Sequence, residues 1–297
     1  EKAARMFGME AALFCPTGTM TNQLAIKVHT RPGDEVICDK LSHIYLYEGG
    51  GIAMNAFSSV RPLEGDLGRI TAKMVEENIN NANDIHQPIT RMVSLENTVN
   101  KGGGSIYDFN EIKKIKEVCH ANGIILHLDG ARLFNALIET DQTPLDYGKT
   151  FDSISICLSK GLGCPVGSLL LGKKSFIDQA RRYRKAMGGG WRQAGALAAA
   201  GIYALDNHIA LLKDDHRRAK EIGKMLAGNS WVEKVYPVST NIILAQLPQN
   251  ITSTDFVEKL KQNEVYCVSF GKHLVRFVTH IDFTDEQLEV LRTRLAF

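Results

Sequence analysis

An acidic residue and a lysine follow two apolar segments that are typical of neighbouring β-strands. Asp129 closes the segment 124–129, and Lys160 follows the segment 152–158. In an open α/β sheet ligands bind outside the carboxyl ends of the strands, so both side chains are predicted to face one crevice. Taken singly, such an aspartate is usually a turn residue and such a lysine usually faces solvent. Together they suit a ligand that presents a ring nitrogen to the acid and an aldehyde to the amine.

A glycine-containing turn offers a place for a phosphate group. The motif PTGTMTNQ begins at Pro16 and leads into a predicted helix. Backbone N–H groups at the start of a helix bind phosphate, Gly18 lets the backbone approach closely, and the hydroxyl of Thr19 adds a donor. By itself this is an ordinary start of a helix. In combination with Asp129 and Lys160 it predicts pyridoxal 5'-phosphate as the cofactor.

The segment 161–167 superficially resembles a dinucleotide-binding fingerprint. It reads GLGCPVG and follows a predicted strand. Its glycine spacing is wrong, Pro165 falls inside it, and the following residues SLLL indicate a strand where a pyrophosphate would require the start of a helix. A dinucleotide site is therefore not predicted here.

The composition excludes several classes of protein. The 297 residues include 35 Lys and Arg against 33 Asp and Glu, which gives a net charge of +2. A protein whose main task is to bind nucleic acid carries a larger excess of positive charge. No apolar run approaches the roughly 20 residues needed to cross a bilayer, so no membrane span is expected. With 44% hydrophobic and 23% charged residues, the chain is typical of globular proteins.

Six cysteines are scattered without a CxxC pair: Cys15, Cys38, Cys119, Cys157, Cys164 and Cys267. They are predicted to be reduced, buried thiols in a cytoplasmic protein, and no metal site is predicted because no Cys or His residues fall at zinc-ligand spacing.

The basic run 181–185 is by default the solvated face of a helix, and the alternative is a site that receives an anion.

Short apolar segments alternate with amphipathic ones over the first two thirds of the chain. This pattern predicts βαβ units around a mostly parallel sheet. The predicted strands lie near 35–38, 91–96, 124–129, 152–158 and 168–171. The clearest helix is 108–122, with a capping box formed by Asp108 and Glu111 and a stop at Gly123.

The pattern changes from about residue 207 to a long charged helix followed by short strands. These strands are predicted near 232–236, 241–246, 266–269 and 274–278, and the last helix is capped by Thr284 with Gln287. Such a pattern indicates a separate α+β domain with an antiparallel sheet. The predicted domains are therefore a large one at 1–206 and a small one at 207–297.

With these motifs in place, the chain resembles the threonine aldolase branch of the fold type I pyridoxal-phosphate enzymes, within the β-eliminating lyase group. The motifs that carry the resemblance are PTGT at 16–19, SH at 42–43 followed by GGG at 49–51, SLENT at 94–98, HLDGAR at 127–132, LSKGLGCPVGS at 158–168, GGGWRQ at 188–193 and VRFVTH at 275–280. They extend over nearly the whole chain. The resemblance implies a fold type I architecture with a large and a small domain.

The resemblance also implies roles around the cofactor. Lys160 is implied to be the lysine that condenses with the cofactor aldehyde, and Asp129 pairs with the pyridine nitrogen. The other implied cofactor-binding residues are Gly18 and Thr19 at the phosphate, Arg132 and Ser159 beside the cofactor, and His43 stacked over the ring. From that position His43 could also take part in proton transfer. The alternative is that His43 is an ordinary surface residue at the start of a helix.

Further residues are implied to act on the substrate or across a subunit interface. His86 matches a family histidine that approaches the substrate side chain, although a histidine in this polar stretch would ordinarily be a loop residue. Arg276 resembles the arginine that binds the substrate carboxylate, a task suited to its bidentate fork. Lys185 and Arg192 correspond to residues donated toward the phosphate of a neighbouring subunit, which implies a homodimer or homotetramer with active sites at the interface.

Two departures from the family pattern stand out. Family members usually carry histidine after Glu-Asn-Thr, where this chain has Val99. They also begin with an upstream segment that bears an Arg-Ser-Asp-Thr motif, and nothing here corresponds to it. The first residues show neither an initiator Met nor a signal peptide, and we expect the chain to begin inside a longer protein. Absence of that segment from the working molecule would impair activity.

The resemblance implies cleavage of β-hydroxy-α-amino acids such as L-threonine or L-allo-threonine to glycine and an aldehyde. The catalytic base is left open among His43, His86 and an ordered water. The runner-up is another fold type I lyase or aminotransferase that acts on a different amino acid. A catalytically impaired protein that retains only cofactor binding is the third alternative, and intact Lys160, Asp129 and Arg276 argue against it.

Overall fold

The central feature of the chain, which a computed structural model describes for residues 1–295, is a seven-stranded sheet. Its strands are β1 Ala11–Cys15, β2 Glu35–Asp39, β3 Ser59–Leu63, β4 Thr90–Glu96, β5 Ile125–Asp129, β6 Ser153–Cys157 and β7 Ser168–Gly172. Their order across the sheet is β1-β7-β6-β5-β4-β2-β3. The pairs from β3 to β6 are parallel, whereas β7 is antiparallel to both of its neighbours. The predicted α/β fold with a mostly parallel sheet is therefore confirmed.

All five strands predicted for the first two thirds of the chain are present, whereas β1 and β3 were not predicted. β3 lies at the edge of the sheet and contains Arg61 and Pro62, with only Leu63 buried. Proline and charged residues are common on edge strands because no neighbour requires their backbone donors there. An edge strand of this kind has little of the apolar pattern on which prediction depends.

Helices pack against this sheet and continue into the second part of the chain. They are α1 Lys2–Phe7, α2 Gly18–His29, α3 His43–Leu46, α4 Ala72–Glu77, α5 Phe109–Ala121, α6 Leu133–Glu139, α7 Pro144–Thr150, α8 Lys174–Ala186, α9 Gly195–Asn207, α10 Leu212–Ala227, α11 Ser253–Gln262 and α12 Asp285–Arg294, with a π-helical turn at Ile52–Ala56. No single helix within residues 1–295 is long and apolar enough to cross a membrane. α9 and α10 meet that criterion only as a pair bent by 72°.

Of the two predicted capping boxes, one is absent and one is present. Asp108 caps α5 by accepting from the N–H of Asn110, but the carboxylate of Glu111 accepts from the N–H of Ala72 instead of closing a capping box. The predicted box at α5 is therefore wrong, because a tertiary contact takes the glutamate. The box predicted for Thr284 at the start of α12 is present.

A second, four-stranded antiparallel sheet follows in the chain. Its strands are β8 Lys234–Val235, β9 Ile242–Gln246, β10 Val268–Gly271 and β11 Leu274–Val278, in the order β10-β11-β9-β8. Its apolar core includes Ala219 from α10, whereas Leu212 at the start of the same helix packs with the core of the large sheet. α10 thus contributes to both cores, and the predicted domain boundary between residues 206 and 207 stays a prediction.

The six cysteines are all free thiols. Five are buried, as predicted, and Cys267 is partly buried. Burial raises the pKa of Cys15 and of Cys38 to about 12, which keeps these thiols protonated and unreactive near neutral pH. They contribute to packing inside the large sheet.

Candidate active site

The carboxyl ends of β4, β5 and β6 open onto one cleft. Glu96 ends β4 opposite Asp129, the last residue of β5, and Lys160 lies three residues beyond β6. Within the part of the chain that the structure describes, the residues lining the cleft are His43, Glu96, Thr98, Asn100, Asp129, Ala131, Arg132, Lys160 and Arg276. Five of the residues singled out from the sequence are thus brought together, although they come from four separate stretches of the chain.

Gly18 and Thr19 form the first turn of α2, as the sequence predicted. The hydroxyl of Thr17 caps the helix by accepting from the N–H of Met20 at 3.1 Å. A Cβ atom at Gly18 would come within 2.6 Å of Sγ of Cys157. Packing against β6 therefore already demands glycine here, and the role of Gly18 and Thr19 at a phosphate stays a prediction.

The other predicted site residues lie outside the cleft lining of residues 1–295. Ser159 is exposed next to Lys160. Lys185 and Arg192 are also exposed, on either side of Gly189, whose backbone packs closely against Met20 in the first turn of α2. Both cations therefore belong to a segment that borders the proposed phosphate turn.

His86 lies in an exposed turn away from the cleft-lining group. Its side chain is 84% exposed, and its Nδ1 lies 2.9 Å from a carboxylate oxygen of Asp84. The same oxygen accepts from the backbone N–H of His86. A role for His86 toward a substrate therefore stays a prediction.

A buried polar group behind the cleft was missed by the sequence reasoning. Nδ2 of Asn22 donates to Asp129 at 2.8 Å and to Glu48 at 2.9 Å. Nε2 of Gln23 donates to the other oxygen of Glu48 at 2.6 Å. The available signal was the polar pair at 22–23 directly before the apolar run LAI in α2, since buried amides in a helix usually serve a partner.

Glu48 in turn holds His43 at the mouth of the cleft. Nδ1 of His43 lies 3.0 Å from Oε1 of Glu48, and this hydrogen bond is the main cause that raises the pKa of His43. One ligand atom from each of His43, Glu48 and Asp129 lies within 4.8 Å of the others. The group has donor types that bind metals. The amide of Asn22 donates to both carboxylates, so each of them has a hydrogen-bond donor from the protein itself.

Glu96 is a second acid that the sequence reasoning did not assign. Its two carboxylate oxygens accept from the backbone N–H groups of His43 and Asn100, each at 2.8 Å. Burial, followed by the charge of Asp129, raises the pKa of Glu96 to about 7. The carboxyl group therefore keeps its proton to a higher pH than an exposed glutamate does, and it fixes the backbone at His43 and at Asn100.

We expect the stability of the protein to fall between pH 4.5 and 7 because of Glu96. The unfolded chain releases this proton near pH 4.5, whereas the folded chain keeps it until about pH 7. In that window the folded state binds more protons than the unfolded state, so rising pH lowers the free energy of unfolding by on the order of 3 kcal/mol. Below pH 4.5 and above pH 7, Glu96 gives no further change of stability with pH. Urea unfolding across this range should show a steeper pH dependence for wild type than for Glu96→Gln at equal cofactor content, and equal slopes would contradict the assignment.

Two arginines converge on one amide in the cleft. Oδ1 of Asn100 accepts from Nη1 of Arg276 at 2.8 Å and from Nη1 of Arg132 at 3.3 Å. Burial lowers the pKa of Arg132, and the neighbouring positive charge of Arg276 lowers it further. Two guanidinium groups held together by a neutral acceptor form a site for an anion, because each carries donors to spare.

Several polar atoms of the cleft have no protein partner among the described residues. They are Oγ1 of Thr98, Nε of Arg132 and Nε of Arg276. Buried polar atoms are seldom left unpaired in native proteins, so such atoms indicate a place for a ligand. With the carboxylate of Asp129 and the amine of Lys160 in the same cleft, the donor set fits pyridoxal phosphate.

A larger groove of about 750 Å³ lies on the small sheet. Most of its lining residues are apolar, among them Val268 of β10, Phe277 of β11 and Val290 of α12. Size alone would favour this groove as a ligand site. Its lining includes Arg276, Arg294 and two glutamates but no lysine, whereas the smaller cleft places the amine of Lys160 beside acids and an arginine pair, so the smaller cleft is the one equipped for chemistry.

Comparison with known proteins agrees with this geometry. The family model of the beta-eliminating lyases matches residues 1–249. The low-specificity L-threonine aldolase of Escherichia coli K12 is 38% identical over 289 residues, which cover 96% of this chain and 84% of that protein. The low-specificity L-threonine aldolase of Candida albicans is 36% identical over 292 residues, covering 97% and 76%.

The fold has a counterpart among solved structures. The threonine aldolase of Leishmania major superposes with a TM-score of 0.83 at 24% identity, over 99% of this chain and 87% of that one. At this identity the likeness shows the fold and no more. Because the family model spans most of the sequence and relatives above 35% identity align with almost all of it, this chain belongs to the beta-eliminating lyase family.

Proposed function

We propose that this chain is a carbon–carbon lyase that cleaves L-threonine and L-allo-threonine to glycine and an aldehyde, with pyridoxal 5'-phosphate as its cofactor. The observation that carries the proposal is the single cleft that joins Lys160, Asp129 and the arginine pair. Relatives that align with nearly the whole chain are named low-specificity L-threonine aldolases, which favours this substrate class.

The cofactor supplies an electron-withdrawing ring that stabilises the negative charge left on Cα when the Cα–Cβ bond breaks. Lys160 offers the primary amine that condenses with its aldehyde, from the loop after β6. Asp129 offers a carboxylate that stays hydrogen-bonded to Asn22 and Ala131 and still has lone pairs for the ring nitrogen. The charge of Asp129 favours the protonated ring, which withdraws electrons best.

The substrate carboxylate is bound by Arg276 together with Arg132. Both guanidinium groups face the cleft, and each has an Nε without a protein partner in the described chain. Asn100 fixes their separation through its Oδ1 without cancelling their charge. A carboxylate bound at this pair leaves the rest of the substrate in the cleft that Lys160 also lines.

We expect Asn100→Asp to weaken substrate binding with little effect on the bond-breaking step. A carboxylate at this position keeps the acceptor for both arginines but offsets one of their two positive charges, so it competes with the substrate carboxylate. The KM for L-threonine should rise about tenfold or more, while kcat changes less than roughly threefold, as for loss of a charge-assisted hydrogen bond that ground state and transition state share. Steady-state kinetics check this, with Asn100→Ala as the uncharged control. An unchanged KM in Asn100→Asp would argue against the anion site.

His43 is proposed to take the proton of the β-hydroxyl group. Donation from Nδ1 of His43 to Glu48 leaves Nε2 with a lone pair, so this nitrogen is a proton acceptor. The hydrogen bond to Glu48 also stabilises the imidazolium that forms, consistent with its raised pKa. Among the three candidate bases His43 is favoured because it lines the cleft.

His86 is proposed to tune the choice between the two β-carbon configurations. We expect His86→Ala to leave cofactor affinity unchanged and to alter the ratio of kcat/KM for L-allo-threonine and L-threonine by roughly 3- to 10-fold, about the worth of one hydrogen bond. The matched control is Asp84→Ala, which removes the present partner of His86. An unchanged ratio in His86→Ala would assign the histidine to the surface turn alone.

One assay distinguishes this function from its alternatives. Purified protein saturated with pyridoxal phosphate is given L-threonine, L-allo-threonine and their D-enantiomers, and glycine and acetaldehyde are measured. Release of both from the L-isomers is the expected result. Release of ammonia or an oxo acid would instead identify another lyase or an aminotransferase, and no turnover with bound cofactor would identify an impaired binding protein.

We further propose a cytoplasmic homodimer or homotetramer that serves threonine catabolism and glycine formation. Free cysteines are typical of a reducing compartment. Ile202 and Tyr203 of α9 are 50% and 61% exposed, and Trp191 is 41% exposed, so this apolar surface suits a second copy of the chain. Lys185 and Arg192 of that copy would complete the phosphate site. Light scattering of wild type against Ile202→Asp tests the assembly.

A further inference from the structure

A line of buried hydrogen bonds runs from the end of α2 through the sheet to Asp129. Nε2 of His29 lies 3.0 Å from Oγ of Ser153, and Nδ1 of His127 lies 2.8 Å from the same oxygen. Nε2 of His127 lies 3.3 Å from Oδ1 of Asn22, whose Nδ2 reaches Asp129. Ser153 and His127 are register partners on β6 and β5, and both are fully buried. The line thus ends on the acid proposed to bind the ring nitrogen.

Only one assignment of donors and acceptors fits all the hydrogen bonds of this line. Nδ2 of Asn22 donates to two carboxylates, so its Oδ1 lies on the opposite side and accepts from Nε2 of His127. His127 carries its ring proton on Nε2, and its Nδ1 accepts from the hydroxyl of Ser153. The hydroxyl oxygen in turn accepts from Nε2 of His29. Every member of the line is therefore satisfied in one arrangement of protons.

Burial keeps the two imidazole rings in this arrangement neutral. It lowers the pKa of His127 to about 3 and that of His29 to about 4. A neutral ring has one N–H and one acceptor, so a partner at one nitrogen determines the proton on the other. The hydroxyl of Ser153 therefore selects the tautomer of His127, and that tautomer selects the orientation of the amide of Asn22.

We propose that Ser153, His127 and Asn22 are positioning residues that lock the amide of Asn22 with its N–H groups toward Asp129, and so prepare this acid for the ring nitrogen of the cofactor. The reverse orientation would place the amide oxygen against two carboxylates and leave the N–H of His127 facing a donor. The inference rests on the proposed cofactor site. It is independent of which amino acid the enzyme cleaves.

Ser153→Ala and Ser155→Ala form a matched pair that tests the proposal. Both serines are buried on the same strand, and the hydroxyl of Ser155 bonds to Thr21, one residue before Asn22, without joining the line to Asp129. We expect Ser153→Ala to raise the Kd for pyridoxal phosphate about tenfold and to change the pH titration of its absorbance, whereas Ser155→Ala stays within about twofold of wild type. Urea unfolding measures the stability that each variant loses, so that cofactor affinity is compared between two variants of known stability.

A second pair at His127 keeps the test decisive if a serine variant folds poorly. His127→Gln retains an N–H that can donate to Asn22, and His127→Leu does not. The glutamine variant should keep most of the cofactor affinity that the leucine variant loses. Equal shifts within either folded pair would overturn the proposal and leave the line a structural feature. Failure of the wild type to bind pyridoxal phosphate would instead refute the proposed cofactor site.

Discussion

Lys160→Ala is expected to abolish the release of glycine from L-threonine, with a fall in kcat/KM of at least about 10³-fold, because an oriented nucleophile is removed from the cleft. Lys160 is the only lysine among the described residues that line the cleft. Without its amine the cofactor has no covalent attachment, and borohydride reduction should no longer fix it to the protein. Turnover and the mass of the reduced protein are the two measurements.

The control for this prediction is Lys160→Arg. Arginine retains a positive charge of similar reach but has no primary amine to condense with an aldehyde. If charge alone mattered, this variant would keep substantial activity. We expect it to be as inactive as Lys160→Ala while binding the cofactor reversibly, and wild-type turnover in either variant would end the assignment.

Asp129→Asn is expected to lower kcat by about 10²- to 10³-fold, as for the loss of one member of a buried charged pair. The side chain of Asp129 is held by Asn22 and by the N–H of Ala131, so an amide fits sterically but carries no charge to favour a protonated ring. The side-chain NH2 of an asparagine at 129 would also face a donor, either Nδ2 of Asn22 or the N–H of Ala131. The absorbance of the bound cofactor should change together with the rate.

Asp152→Asn is the matched control for that variant. Asp152 precedes β6 at the opposite end of the strand, where it accepts from the N–H of Leu126 and from Lys116. Its loss should cost stability in the same sheet without touching the cleft. If Asp152→Asn lowers kcat as strongly as Asp129→Asn, the effect reflects the sheet and not the ring nitrogen.

Val99 stands where the family pattern has histidine. Val99 is fully buried, and its Cγ1 would lie 2.4 Å from a Cβ atom at Gly68. The residue therefore packs against the turn around Gly68, and its hydrocarbon side chain has no proton to exchange. The neighbouring Asn100 lines the cleft and contacts the two arginines.

The amino-acid sequence alone determined the order of the main elements and the identity of the chemical groups. Apolar segments that end at Asp129 and before Lys160 predict strands whose carboxyl ends share an edge, because alternation and strand length are local properties. The motif around Gly18 likewise predicted the start of α2. For such features the pattern within about ten residues is sufficient.

Only the tertiary structure decided which polar groups meet and how they are protonated. Asn22 reaches Asp129 across 107 positions of the chain, and Asn100 reaches Arg276 across 176. Likewise, Glu96 has a pKa near 7 only because the fold buries it beside another carboxylate. Hydrogen bonding and desolvation depend on distances in space, which the crossovers between strands set and which a local pattern does not encode.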